Sequence, residues 1–200
     1  SGAWSCPHTA IVRDVEQGAA NMFSRISLFL FGLLLTVSFT PTIAEAATFT
    51  LLSPHVVALD GAIDLGDCDR WKAAVGASAN TVILNSPGGR IGQGHCISRF
   101  IAARGMKTFV QGRCASICFV LFAAGATKQA CKAARIGVHR PSDPITKQEN
   151  PDPYFLQSIL EQTDRYGVPR AIQERLSGTP AKDMYWLNDA DLASMDVRPC

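Results

Sequence analysis

Charge is scarce in this chain: Lys, Arg, Asp and Glu make up 18% of its 200 residues, against about a quarter in an average soluble domain. No block of like charge interleaves with aromatics, so the electrostatic footprint of a nucleic-acid partner is missing. Residues 47–200 keep 17 of the 19 basic and 14 of the 17 acidic residues, a net charge of +3. There is no Cys-x-x-Cys, and His95-Cys96 lacks a second pair at a ligand-like interval, which argues against a zinc site. Gly89, Gly92 and Gly94 do not make the glycine fingerprint of a dinucleotide cradle. No repeat, low-complexity tract or second domain interrupts the chain, and no cofactor is called for.

A long hydrophobic run is also missing. The longest, residues 26–39, falls short of the roughly 20 residues that a spanning helix needs. It follows the short basic start Met22-Phe23-Ser24-Arg25 and precedes Ala44-Glu45-Ala46, a small-residue cleavage pattern, so residues 22–46 read as a secretory signal cut before Ala47. Residues 1–21 lie upstream of a candidate initiator Met22 and begin with Ser, and read as a non-native or mis-set extension without function. The domain proper is then residues 47–200, periplasmic or secreted, with membrane attachment only through an uncleaved signal segment.

Six of the seven cysteines follow the signal: Cys68, Cys96, Cys114, Cys118, Cys131 and Cys200. An even number in an exported domain predicts disulfides before metal. Cys68 precedes one expected strand and Cys96 follows it, each on a helix, so these two are expected to pair. Cys114 and Cys118 flank Ser116 in a position to staple that loop, and Cys131 pairing with one of them is the alternative.

Hydrophobic patterning predicts strands over residues 56–59, 81–84, 107–111 and 134–138. Helices are expected near residues 67–75, capped from Asp67-Cys68-Asp69, and through Ile97, Phe100, Ile101 and Arg104 with Gly105 as the stop. The apolar run 116–124 is too long for a typical buried strand and reads as a buried helix. Residues 141–153 form a polar, Pro-rich loop, followed by helices over 154–165 and 170–176. Strand and helix alternate, which implies parallel pairing through right-handed crossovers with helices covering the sheet.

The chemistry-bearing residues fall where expected strands end. Gly88-Gly89 after a strand lets backbone N–H groups approach a ligand without a Cβ in the way. The plain alternative is an ordinary turn. Ser116 opens the apolar helix at its positive end with the Ile117 N–H beside it, and a serine there is otherwise an N-cap. His139 ends a strand, where a lone histidine is otherwise a surface or hydrogen-bonding residue. Together the three would supply an oxyanion cradle, a nucleophile and a base.

Asn85-Ser86-Pro87-Gly88-Gly89, Ala115-Ser116, Ala123-Ala124-Gly125-Ala126 and Val138-His139-Arg140-Pro141 resemble, in order and spacing, the Clp protease proteolytic subunit and its exported relatives in the ClpP/crotonase superfamily. The resemblance implies a single-domain α/β ClpP/crotonase-like fold with a mainly parallel sheet and crossover helices. It implies a serine peptidase acting on peptides or unfolded protein, with Ser116 as nucleophile, His139 as general base, and the N–H groups of Gly89 and Ile117 as oxyanion hole. For the orienting acid, Asp183 before Tyr185-Trp186-Leu187 is the nearest match, while alignment on Trp186 puts Met184 there instead. Homo-oligomers are implied too, although the stretch from His139 to Asp183 is short for the family's long handle helix. Three other readings stay open. One is a catalytically silent binding or assembly module on the same fold. Another is a crotonase-type acyl-CoA enzyme, disfavoured by export and by the lack of a basic cluster for the CoA phosphates. The third is a lysine-dependent peptidase using Lys107, Lys128 or Lys132.

Overall fold

Why the chain forms one sheet with one covered face follows from the burial alternation along its strands. The computed structural model describes residues 46–143, 146 and 148–200. Residues 1–45, on which the expected extension 1–21 and all but the last residue of the expected signal 22–46 fall, lie outside the described residues.

Eight strands make one sheet. β1 (Thr48–Ser53) pairs antiparallel with β2 (Val56–Asp60) at one edge. β3 (Thr81–Ser86), β4 (Lys107–Ala115), β5 (Lys128–Ala130) and β8 (Val197–Pro199) then add in parallel. A branch leaves the far half of β4, where β6 (Arg135–Val138) pairs in parallel and β7 (Tyr185–Trp186) pairs antiparallel with β6. On β2, β3 and β4, Val57, Leu59, Val82, Leu84 and Val110 are buried, whereas Ala58, Ile83 and Phe109 between them are half-buried. This period of two marks one face packed under helices and one less covered.

The covering helices are α1 (Asp67–Ala74), α2 (Ile91–Ala103) and α3 (Ile117–Ala123), with α4 (Pro153–Arg165) against α3, then α5 (Arg170–Gly178) and α6 (Asp189–Ser194). Every residue of α3 is buried, which accounts for a run apolar on all sides. Gly94 of α2 lets α3 approach, since a Cβ there would meet the Ile117 side chain. The fold is thus the single-domain α/β, mostly parallel arrangement expected.

Three local expectations differ from the structure. β1, β5, α6 and β8 have no counterpart in the sequence reading. Helix α1 starts from a left-handed Gly66 without a side-chain cap. The Asp67 carboxylate instead turns back to the Asp64 N–H at 2.7 Å and to the Arg70 guanidinium. Cys131 pairs with Cys200 rather than with Cys114 or Cys118. The pairing of β5 with β8 explains this, because Ala130 faces Pro199 and the next residue of each strand is the cysteine.

Candidate functional site

β4 leads into the nucleophile candidate and changes partner on the way. Between Leu84 and Ser86 of β3, opposite Val110 and Cys114, the register slips. Past this bulge β4 leaves β5 and pairs with β6, Ala115 facing Gly137. The Asn85 side chain fixes the slip. Its oxygen accepts the Arg113 N–H at 3.0 Å and its amide donates to the Asp60 carboxylate at 3.0 Å.

Ser116 sits in the sharp turn between β4 and α3 at φ 57°, ψ −129°. A non-glycine residue there costs about 1–3 kcal/mol and persists only where its surroundings over-determine it. Burial of Ile117, Phe119, Leu121 and Phe122, at about 1.5–3 kcal/mol each, outweighs that cost. The Ser116 side chain makes no cap bond to the helix, so its hydroxyl is not committed to the N-cap role that a serine ordinarily fills here.

Gly88 closes on this turn from β3. A Cβ on Gly88 would stand 2.7 Å from Ser116 Cβ and 3.1 Å from the Ile117 nitrogen, and the backbone there is at φ 97°. Only glycine leaves that space open. The next residue is fixed differently: Gly89 (φ 145°) lies against the Ile63 backbone, held by Ile63 N–H to Gly88 O and Arg90 N–H to Ile63 O, both at 2.8 Å. Neither the Gly89 nor the Ile117 N–H has a backbone acceptor among the described residues. The Ile117 N–H adjoins Ser116, and the Gly89 N–H belongs to the residue after the Gly88 that closes on the turn.

His139 follows the end of β6, two residues beyond Gly137, whose carbonyl accepts the Ser116 N–H at 3.0 Å. Ser116 and His139 thus leave the same end of neighbouring parallel strands. The imidazole is half-buried, and its Nδ1 is enclosed without a hydrogen-bond partner among the described residues. Burial pushes its pKa below the ordinary 6.5, with a backbone contact at Arg140 opposing. No hydrogen bond joins Ser116 and His139 among the described residues, and such bonds commonly tighten only once substrate is in place.

Asp183 shares no hydrogen bond or ion pair with His139 among the described residues. β7 runs antiparallel to β6 with Trp186 opposite Gly137 and Tyr185 opposite Val138, so continuation of that register sets Met184 opposite His139. A one-residue step turns a strand side chain to the other face. Asp183 is exposed in the turn before β7, its N–H bonded to Pro180 O at 2.9 Å. Met184 and Trp186 lie over Gly137, where a Cβ would be 2.7 Å from the Met184 sulfur and from Trp186 Cε3.

The lysine alternatives fall away from the site. Lys107 and Lys128 stand at the other end of β4, where Thr108 pairs with Lys128, and Lys132 is exposed beyond β5. Disulfides join Cys68 to Cys96 across α1 and α2 and Cys114 to Cys118 across the Ser116 turn, with Cα–Cα distances of 5.9 and 5.2 Å. Both cysteines of the second pair are fully buried. Among the described residues no His, Cys, Asp and Glu side chains group as a metal site, and no helix is long and apolar enough to cross a membrane.

Residues 77–154, which hold the glycine turn, Ser116 and His139, match the Clp protease family model. Among solved structures, ClpP1 from Listeria monocytogenes is similar with a TM-score of 0.54 at 17% identity, over 74% of this chain and 92% of that one. The ClpP protease catalytic domain from Plasmodium falciparum superposes with a TM-score of 0.53 at 18% identity, over 72% and 84%. A mutant of the 1510-N membrane-bound stomatin-specific protease gives 0.54 at 18% identity, over 72% and 77%. No curated protein sequence matches the chain. At these identities the likeness is one of fold, and the fold is that of the Clp protease subunits.

Proposed function

We propose that a chain with the Clp protease fold and this arrangement at the end of β4 is an exported serine peptidase acting on peptides or unfolded protein. The observation that carries the reading is the uncapped Ser116 in a left-handed turn, closed upon by Gly88 beside the Ile117 nitrogen. The likeness to three protease structures supports the same reaction class.

In this mechanism His139 Nε2 takes the proton as Ser116 Oγ attacks the peptide carbonyl. The negative charge formed on the carbonyl oxygen is met by the Gly89 and Ile117 N–H groups. Collapse of the tetrahedral species breaks the C–N bond, and His139 hands its proton to the departing amine. A water activated by the same imidazole then cleaves the Ser116 ester, returning the hydroxyl. A depressed His139 pKa keeps the ring neutral and ready as a base at neutral pH. Asp183 has no part in these steps, so the working pair is a dyad.

Export rests on the signal pattern of residues 22–46 and is supported by three cysteine pairs, which persist in oxidising compartments. Amino-terminal sequencing of protein recovered from the periplasm or medium should read from Ala47. Self-association is proposed from the resemblance, and light scattering on the purified protein measures it.

The decisive experiment incubates the purified chain with a fluorophosphonate probe, which esterifies an activated serine. Labelling is expected on Ser116, absent in Ser116→Ala. The unpartnered Nδ1 of His139 favours one second reading, a silent module that keeps the fold. An unlabelled but folded wild-type chain would establish that reading instead.

A further inference from the structure

Arg113 of β4 and Arg135 of β6 face each other in the parallel register, and both guanidinium groups sit on the Trp186 ring, at 5.5 and 4.1 Å from its centre. Like charges directly opposite on adjacent strands are unfavourable. Nevertheless neither arginine forms an ion pair or a side-chain hydrogen bond among the described residues. Asp60, which shares Asn85 with Arg113, is taken up by the Asn85 amide. Both side chains are exposed, and the indole holds them in place by cation–π contact.

Their position relates them to the site. Arg135 and Gly137 share one face of β6, Trp186 lies over Gly137, and His139 follows the strand directly. Arg113 precedes Ser116 by three residues and Arg135 precedes His139 by four, a run of about 10–13 Å at roughly 3.3 Å per residue. That is the length of three or four residues of an extended peptide.

The geometry points to a carboxylate-binding subsite. Arg113 and Arg135, braced on Trp186, receive an acidic group of the substrate three or four residues from the bond that Ser116 attacks. Two fixed guanidinium forks match the two oxygens of a carboxylate with charge-assisted bonds. The carboxylate belongs either to an Asp or Glu side chain or to the end of the peptide. The assignment deepens the peptidase reading and rests on it for the substrate, while the charge clamp itself needs no turnover.

The test therefore uses the full chain carrying Ser116→Ala, with fluorescein-labelled octapeptides read by anisotropy. One peptide has a single Glu three or four residues from its centre, its twin has Gln there, and each is made with a free or an amidated C-terminus. The clamp should bind a carboxylate peptide about tenfold more tightly than its neutral twin, the scale of one charge-assisted bond. The preference should fall with added salt and vanish in Arg113→Gln/Arg135→Gln. An Arg113→Lys/Arg135→Lys protein, which keeps the charge but loses the forks, should retain part of it. Preference for Glu assigns the side-chain source, and preference for the free C-terminus alone assigns the chain end. Equal binding of all four peptides, or a preference that survives the glutamine pair, overturns the subsite. Loss of fluorophosphonate labelling in the Ser116-intact chain would instead strike the peptidase reading and leave the binding result standing.

Discussion

The Ser116 amide donates to the Gly137 carbonyl at 3.0 Å, one step beyond the Ala115–Gly137 pair of β4 and β6. This bond ties the turn bearing the nucleophile candidate to the strand bearing His139. Gly137 is itself the bare position over which Trp186 and Met184 lie. The backbone that spaces Ser116 from His139 is therefore also packed under Met184 and Trp186, and substitutions nearby should reach the chemistry of the proposed site.

Gly88→Ala is the sharpest case. The added methyl would occupy the space between Ser116 Cβ and the Ile117 N–H, where the oxyanion of the proposed reaction must sit. Loss of one oxyanion donor costs about 10²–10³ in turnover, and blocking the space should cost at least as much. Fluorophosphonate labelling rate and peptide turnover should both fall that far, while circular dichroism still reports a folded protein with a lowered Tm. Undiminished labelling of Gly88→Ala would place the reaction elsewhere.

The three disulfides should separate stability from activity. Loop-closure entropy rises with the residues spanned, and the spans are 4 for Cys114–Cys118, 28 for Cys68–Cys96 and 69 for Cys131–Cys200. Paired Cys→Ala replacement should then cost about 2, 3.5 and 4.5 kcal/mol respectively, read by denaturant unfolding. Activity should follow the opposite order, because only Cys114–Cys118 brackets the Ser116 turn. A Cys114→Ala/Cys118→Ala protein with wild-type turnover would remove any positioning role for that bridge.

The strands that build the site were readable because each ends in chemistry-bearing turn residues: residues 81–84 before Pro87-Gly88-Gly89, and residues 134–138 before His139. The all-apolar run after Ser116 announced a buried helix for the same physical reason that α3 is buried on every side. β5 and β8 were not readable. Three-residue strands such as Lys128–Ala130 and Val197–Pro199 have too few positions for a period of two to register, and without β8 the Cys131–Cys200 pair had no basis. Arg113 and Arg135 lie 22 positions apart and look like unrelated surface charges until strand register sets them side by side. The acid position turns on a one-residue phase that the sequence left open between Asp183 and Met184, because both precede the two-residue β7.

The pH response should divide between two histidines. Burial lowers the His139 pKa below 6.5, and burial with the nearby Arg99 charge lowers that of His95. The unfolded chain therefore binds these protons more readily than the native one. Their contribution to stability is complete above pH 6.5 and is lost as pH falls from there through the native values. The acid limb of kcat/KM should likewise lie below 6.5, set by His139 alone. His95→Asn should flatten part of the stability slope in that window without moving the activity limb. An activity limb that shifts with His95→Asn would mean that the imidazole in play is not His139.

Asp183→Asn should change turnover by less than about threefold, because no hydrogen bond or ion pair links this carboxylate to the ring and Asp183 lies exposed in the turn before the β6–β7 pairing begins. An acid that holds an imidazole in its working tautomer would instead cost about 10⁴ on conversion to the amide. The two outcomes are far enough apart that a steady-state assay on one neutral peptide separates them. Met184→Asp gives the converse measurement, since it puts a carboxylate opposite His139 in the β6–β7 register. If the ring lacks only an orienting partner, that variant should raise turnover and move the acid limb upward, as a nearby negative charge favours the imidazolium. A loss of orders of magnitude in Asp183→Asn with the fold intact would show that Asp183 reaches His139 during the reaction, and the dyad would have to be replaced by a triad.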